Sequence, residues 1–558
     1  MRKSKWSLLL TLTLVLSMFL AACSGGGGNE GGSSSGNGGE DGKDGGNTDV
    51  PQVLNILESA EIPTMDSVMG TDAVAFQVMA ETMEGLYRLG ENMEPVEGMA
   101  ESHELSDDEK TYTFHLRDAQ WSNGTSVTAD DFVYAWRKAV NPDTGSQYNF
   151  ILGDLKNANA IMAGDMDPEE LGVEAVDEKT LKVELEQPVP YFISLTTFAT
   201  FLPQNQEFVE EQGDQYALED ENLIYNGPFT LTDWKHEEGW VLKKNPDYWD
   251  AETVKLDEIN VKVVKETSTG VNLYETGKID RVGLSSEYVN KYKENEEYKT
   301  FEEPVMFYLK MNQEREDLAN VNIRKAIQAA INKEDLVNVI LNNGSLAANY
   351  FVPKGFVTHP ETGEDFREIN GDLISNDVEK AQEYWEKGLE ELGKEEITLE
   401  ILGGDSEVAK KMDEYLKNQL ETNLPGLKIE LKGVPFQQRL ELDENMNYDL
   451  QNAGWGPDYA DAMTFIDMWV TDGGHNKTGF SNEKYDKLVK DAKTTLTSDP
   501  AKRFEAMLEA EKILIEEEAV LAPLYQRARA QLWKPYVKNV YQNSFGPDYS
   551  YKWAYIEK

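Results

Sequence analysis

The chain has 558 residues, with 102 Asp and Glu against 53 Lys and Arg, for a formal net charge of −49. Such a surface repels nucleic acid and anionic lipid headgroups, while 40% hydrophobic and 10% aromatic residues exclude a disordered acidic chain. The length exceeds what one core needs and predicts two or three domains, and the single cysteine, Cys23, excludes an internal disulfide and a thiolate metal site.

At the start, Arg2, Lys3 and Lys5 precede an apolar stretch over residues 8–22. It is shorter than the roughly 20 residues that cross a bilayer, and a basic head with a short apolar core predicts a secretory signal. Leu20-Ala21-Ala22-Cys23 also resembles the lipobox of bacterial lipoproteins. That resemblance implies cleavage before Cys23 and attachment of an acyl lipid, such as palmitate, to Cys23. Residues 24–50 are almost entirely Gly, Ser, Asn, Asp and Glu, a tether that cannot order itself. As a flexible coil it reaches roughly 26–31 Å. Within it, Gly32-Ser33-Ser34-Ser35-Gly36 matches the G-x-S-x-G hydrolase pattern by letters alone, without the strand and helix that the chemistry needs.

Beyond the tether the signals are mixed. Tyr112, Phe114 and Leu116 alternate with Thr111, Thr113 and His115, the period of a half-buried strand. Leu181, Val183 and Leu185 repeat the pattern, as do Ile259, Val261 and Val263. Ile323, Ala326, Ile327, Ala330 and Ile331 have helical spacing. A second helix is predicted from Ala501 to about Glu518, started by Ser498-Asp499-Pro500, with Phe504, Met507, Leu508, Leu514 and Ile515 inward. Interleaved strands and helices predict an α/β or α+β chain of several domains.

Catalytic chemistry finds no support. The five histidines, 103, 115, 236, 359 and 475, include no pair at metal-ligand spacing, and no H-E-x-x-H, P-loop or dinucleotide fingerprint occurs. Asp41 and Asp44, and Asp165 and Asp167 before Glu169 and Glu170, lack the spacing and glycine of a calcium loop. No catalytic residue, metal or cofactor is assigned, and the chain is not read as an enzyme.

Three stretches carry a family resemblance. The first, residues 111–136, has a strand, the polar turn Trp121-Ser122-Asn123-Gly124-Thr125 and a helix capped around Thr128. The second is Asn226-Gly227-Pro228-Phe229 through Asp233-Trp234, then Lys244-Asn245-Pro246-Asp247-Tyr248-Trp249. The third is Ala453-Gly454-Trp455-Gly456-Pro457-Asp458-Tyr459. Together they resemble the oligopeptide-binding proteins that serve ABC importers. The resemblance implies an α/β three-domain clamshell with the ligand cleft between two lobes. Domain one would comprise residues 51–84, 208–305 and 529–558, domain two 85–207, and domain three 306–528. Chain crossings near 305 and 528, beside Glu302-Glu303-Pro304 and Gln526-Arg527, would form the hinge.

The resemblance also implies site residues. Asp458 would meet the α-ammonium of a peptide, Trp455 would wall a side-chain pocket, and Asn452 would bond peptide backbone. Tyr148 and Phe436 would line pockets, and residues 62–66 would pair with peptide main chain. Family members that select very short peptides meet the terminal carboxylate with basic side chains. The positions aligned with those read Leu341, Ala409, Asp443 and Asn452, none cationic. Two readings stay open: longer peptides whose C-terminus leaves the cleft, or another cation among Arg527, Arg529 and Arg439.

The function implied is a lipid-anchored, monomeric receptor on the outer face of a Gram-positive cell membrane. It would pass oligopeptides to ABC permease and ATPase subunits. The alternative is a receptor for a signalling peptide or pheromone, on the same fold.

Overall fold

The structure is a computed structural model and describes residues 50–558. Cys23 and most of the tether lie outside the described residues. Three main sheets organise the chain. In the first, Val53–Glu58 lies parallel to Glu258–Val263, which continues antiparallel to Gly239–Lys244 and Phe229–Lys235. In the second, Ala100–Leu105, Thr111–Leu116, Thr180–Glu184 and Val173–Asp177 are all antiparallel. The third is a mixed seven-stranded sheet centred on two long strands, Tyr298–Met311 and Leu521–Trp533. Helices Val321–Ala330, Val378–Leu392 and Glu407–Asn423 contribute buried apolar side chains to its core. The fold is therefore mixed α/β, as expected.

The sequence periods survive in detail. Tyr112, Phe114 and Leu116 are buried while Thr111, Thr113 and His115 are half-buried. Ile259 and Val261 are buried, but Val263, at the strand's end, is only half-buried. The predicted last helix starts as expected, with Asp499 capping Lys502 N and Pro500 in the first turn. It departs from expectation at Lys512, where Ile513–Glu517 widens into a π-type turn. Ile513, Leu514 and Ile515 are all buried there.

Two of the three recognised stretches are staples of the fold. Asp131 Oδ2 accepts from Thr128 N at 2.9 Å and from the Trp121 indole at 3.1 Å, joining the polar turn to the helix it precedes. Asn226 exchanges hydrogen bonds with the backbone of Glu84, both at 2.9 Å. A Cβ on Gly227 would lie 2.5 Å from the Thr82–Met83 backbone, so only glycine fits. Tyr248 donates to Glu84 Oε2 at 2.7 Å.

Beside this staple, Glu81 is buried with one carboxylate oxygen accepting from Tyr551 N at 2.8 Å and the other without a partner. Burial, only partly offset by Arg88, pushes its pKa up from 4.5 to about 7. The folded chain thus holds this proton more tightly than the unfolded chain. Its contribution is most favourable below pH 4.5 and declines as pH rises to about 7. Glu81→Gln keeps the Tyr551 bond without the charge. We expect the variant to gain up to roughly 3 kcal/mol over the parent at pH 8 and to match it near pH 4. Urea unfolding at the two pH values reads the difference; an equal gain at both would reject the buried-charge account.

The expected crossings near 305 and 528 fall within the two long strands. Their antiparallel ladder runs from Tyr298↔Leu532 to Lys310↔Leu521 and shifts register between Glu302↔Ala528 and Met306↔Gln526. Pro304, which has no N–H to give, lies in that gap. Glu303 is buried there and accepts from Arg527 Nε at 2.5 Å and Arg529 Nε at 3.0 Å. Arg529 also pairs with Asp548.

Candidate functional site

A cavity of about 310 Å³ collects residues from distant parts of the chain. The start of helix Ala73–Thr82, Tyr148, strand Tyr298–Met311 and helix Phe436–Glu444 each present side chains to it. Strand Leu450–Trp455 and the following Gly456-Pro457-Asp458 form one wall. Of the three recognised stretches, only the third reaches this space.

That wall is built for close approach. Leu450–Trp455 pairs along its whole length with Met306–Met311, but on its other side only Leu450 and Gln451 pair, with Ile401 and Leu402. From Asn452 to Trp455 one strand edge therefore has no strand beside it. Gly454 is required: a Cβ there would stand 2.9 Å from the Phe307 ring. Trp455 donates its indole N–H to Thr464 O at 2.9 Å, and Thr464 Oγ1 accepts from Asp458 N at 3.0 Å. Thr464 thus fixes both the tryptophan and the aspartate.

Asp458 is buried and its Oδ2 has no hydrogen-bond partner. Burial, with Asp467 nearby, pushes its carboxyl well above the usual range, opposed in part by the nearby Tyr148 hydroxyl. A buried carboxyl without compensation is costly unless it holds a proton or meets a cation. Around it, the Tyr148 ring lies parallel to Trp455 at 6.0 Å and meets His475 edge-on at 4.6 Å. Burial pushes His475 down to about 3, so the imidazole is neutral at physiological pH. Asp72 is a second buried carboxyl lining the cavity. Its Oδ1 caps helix Ala73–Thr82 at Val74 N and Ala75 N, its Oδ2 is unpartnered, and burial pushes it up to about 7.

The sequence candidates divide. Asp458, Trp455, Tyr148 and Arg527 line the cavity. Asn452 turns its amide to Asp413 Oδ1 at 3.0 Å, and only its carbonyl is engaged from the cavity side, by Arg439 Nη1 at 3.2 Å. Phe436 sits 5.1 Å beneath the Arg439 guanidinium and does not line the cavity. Arg529 is held by Glu303 and Asp548 behind the wall. Arg527 reaches the cavity with its charge already matched by Glu303. None of residues 62–66 lines the cavity, and Asp66 is engaged by Lys138 and Gln204. Asp72 and Lys310 carry no signal in the sequence, Glu303 enters it only beside the expected hinge and His475 only as one of five unpaired histidines, because each gains meaning at the site only by placement.

Known proteins are similar to this chain in sequence and fold. The profile "Bacterial extracellular solute-binding proteins, family 5 Middle" matches residues 94–477. The chain is 34% identical to the dipeptide-binding protein of Lactococcus lactis, over 92% of this chain and 96% of that protein. It is similar to the substrate-binding domain of an oligopeptide ABC transporter from Bacillus anthracis, with 48% identity, TM-score 0.90 and coverage of 91% and 99%. It is also similar to Listeria monocytogenes OppA bound to peptide, with 46% identity, TM-score 0.88 and the same coverages.

Proposed function

Because the chain belongs to family 5 of the bacterial extracellular solute-binding proteins, we propose that it captures peptides outside the cell and delivers them to an ABC importer. The observation that carries this reading is the buried Asp458 carboxyl, with one oxygen unpartnered, beside an open strand edge. A receptor for many sequences must grip what every peptide shares. Asp458 takes the α-ammonium, and the edge from Asn452 to Trp455 takes backbone N–H and C=O groups by strand addition. The Trp455 and Tyr148 rings offer a flat apolar wall to side chains. No bond is made or broken, so the protein acts as a carrier and not as an enzyme.

The reading includes a three-domain division of the chain. In it, residues 51–84, 208–305 and 529–558 form one lobe and 306–528 the other, and the register break at Glu303 and Pro304 serves as the hinge. Binding shifts the lobes toward closure by the ligand's differential affinity for that state. Lipidation of Cys23 on the outer face of a Gram-positive membrane, and the tether behind it, keep a monomeric receptor near its permease.

Calorimetry with a free short peptide and its N-acetyl counterpart tests the reading. Acetylation removes the ammonium, and we expect it to weaken binding roughly tenfold or more. Equal affinity would contradict it. A strong preference for one hydrophobic peptide over its scrambled forms would instead favour a signalling receptor.

A further inference from the structure

Two loops far apart in sequence meet outside the cavity. Lys265 follows strand Glu258–Val263, which pairs in parallel with Val53–Glu58. Asp405 and Glu407 follow strand Ile397–Gly404, which pairs in parallel with Leu427–Val434. Both loops leave the carboxyl ends of parallel strands, the side on which open α/β sheets form their ligand crevices. Lys265 Nζ donates to Asp405 Oδ2 and to Glu237 Oε2, both at 2.8 Å. Glu407 N donates to Lys265 O at 3.2 Å. Helix Thr267–Glu275 receives no side-chain cap from its own Glu266. Glu407 Oε2 supplies one instead, accepting from Thr267 N at 3.0 Å. Lys411, one turn further on, holds Glu407 at 2.8 Å and reaches Glu287 at 3.0 Å. None of these residues lines the cavity.

We propose that Lys265, Asp405 and Glu407 are positioning residues for capture: they form a latch between the lobes, made on closure and broken on opening, that sets how tightly every ligand is held. The inference rests on the peptide-capture and two-lobe reading above. In that division Lys265, Glu237, Thr267 and Glu287 belong to one lobe and Asp405, Glu407 and Lys411 to the other. The chain passes between these lobes along the two long strands, so the facing loops are joined by non-covalent contacts alone. Lys265 and Asp405 are each 27% exposed, and such a pair contributes modestly. The cap that Glu407 gives to a helix lacking its own is the stronger member. A latch of this kind raises the closed fraction, and a ligand held by the closed state gains apparent affinity in proportion. The gain is the same for every peptide, because the latch touches none.

The test is calorimetric titration of trialanine and trileucine into wild type, the double variant Asp405→Ala/Glu407→Ala, and Glu237→Ala. The double variant should bind both peptides roughly fivefold or more weakly, by the same factor. Glu237→Ala removes the partner that Lys265 has inside its own lobe and should stay within about twofold of wild type. A second measurement needs no variant. Among the described residues the Thr267 N–H is bonded to Glu407 alone, so its deuterium exchange in wild type should slow roughly tenfold or more when trialanine is bound. Unchanged affinity in the double variant, an equal loss in Glu237→Ala, a loss confined to one peptide, or Thr267 exchange indifferent to ligand would each overturn the latch. If wild type bound neither peptide, the capture reading itself would fail.

Discussion

Asp458→Ala is expected to weaken a peptide with a free amino terminus roughly 30-fold or more. The carboxyl is buried at the cavity wall with Oδ2 unpartnered, and its backbone is pinned by Thr464. The side chain therefore has little freedom to swing away, and no competing cation is paired with it among the described residues. Of the other carboxyls lining this space, Asp443 and Glu303 are spent on Lys310 and the two arginines, and Asp72 spends one oxygen on capping its own helix. Removing one member of a buried charge pair costs about 2–5 kcal/mol, and 1.4 kcal/mol is tenfold in affinity. Calorimetry on a folded variant reads the loss directly, and an unchanged affinity rejects the assignment.

A comparable effect, on stability, is expected at the strand crossing. Glu303→Ala should lower unfolding free energy by about 3 kcal/mol, whereas Glu302→Ala should change it by less than about 0.5 kcal/mol. The two residues are adjacent in sequence and chemically identical. Glu303 is 4% exposed and accepts from both Arg527 and Arg529, while Glu302 is exposed. Without Glu303 the two guanidiniums compete for Asp548 alone, in the gap where Pro304 already interrupts the ladder. Urea unfolding of both variants separates the cases. Equal midpoints would mean that the carboxylate at the register break carries no weight.

Local structure was legible in the sequence wherever one side-chain pattern decided it. The alternation at residues 111–116 and the Asp499-Pro500 helix start depend on neighbours a few residues away, and both appear as expected. The π-type turn at Ile513–Glu517 was not legible, because a run of apolar residues is equally compatible with a regular helix. At the site, the motif holding Trp455 and Asp458 was readable, and both residues line the cavity. The partners were not. Whether Arg527 is a free cation depends on Glu303, 224 positions away, and the Asp443 beside Arg439 is taken by Lys310. Asn452 lies on the open strand edge, yet its side chain turns to Asp413, a contact that tertiary packing alone decides. Charge matching in a cavity is a property of the assembled fold, and a motif does not record it.

The central claim, that Asp458 holds a peptide's α-ammonium, is tested most directly by a two-by-two calorimetric cycle. Wild type and Asp458→Ala are each titrated with one short peptide and its N-acetyl form. The account predicts that acetylation costs the wild type roughly tenfold or more and costs the variant almost nothing, because the group it removes has already lost its partner. The same acetylation penalty in both proteins would show that the ammonium is held elsewhere and would contradict the account.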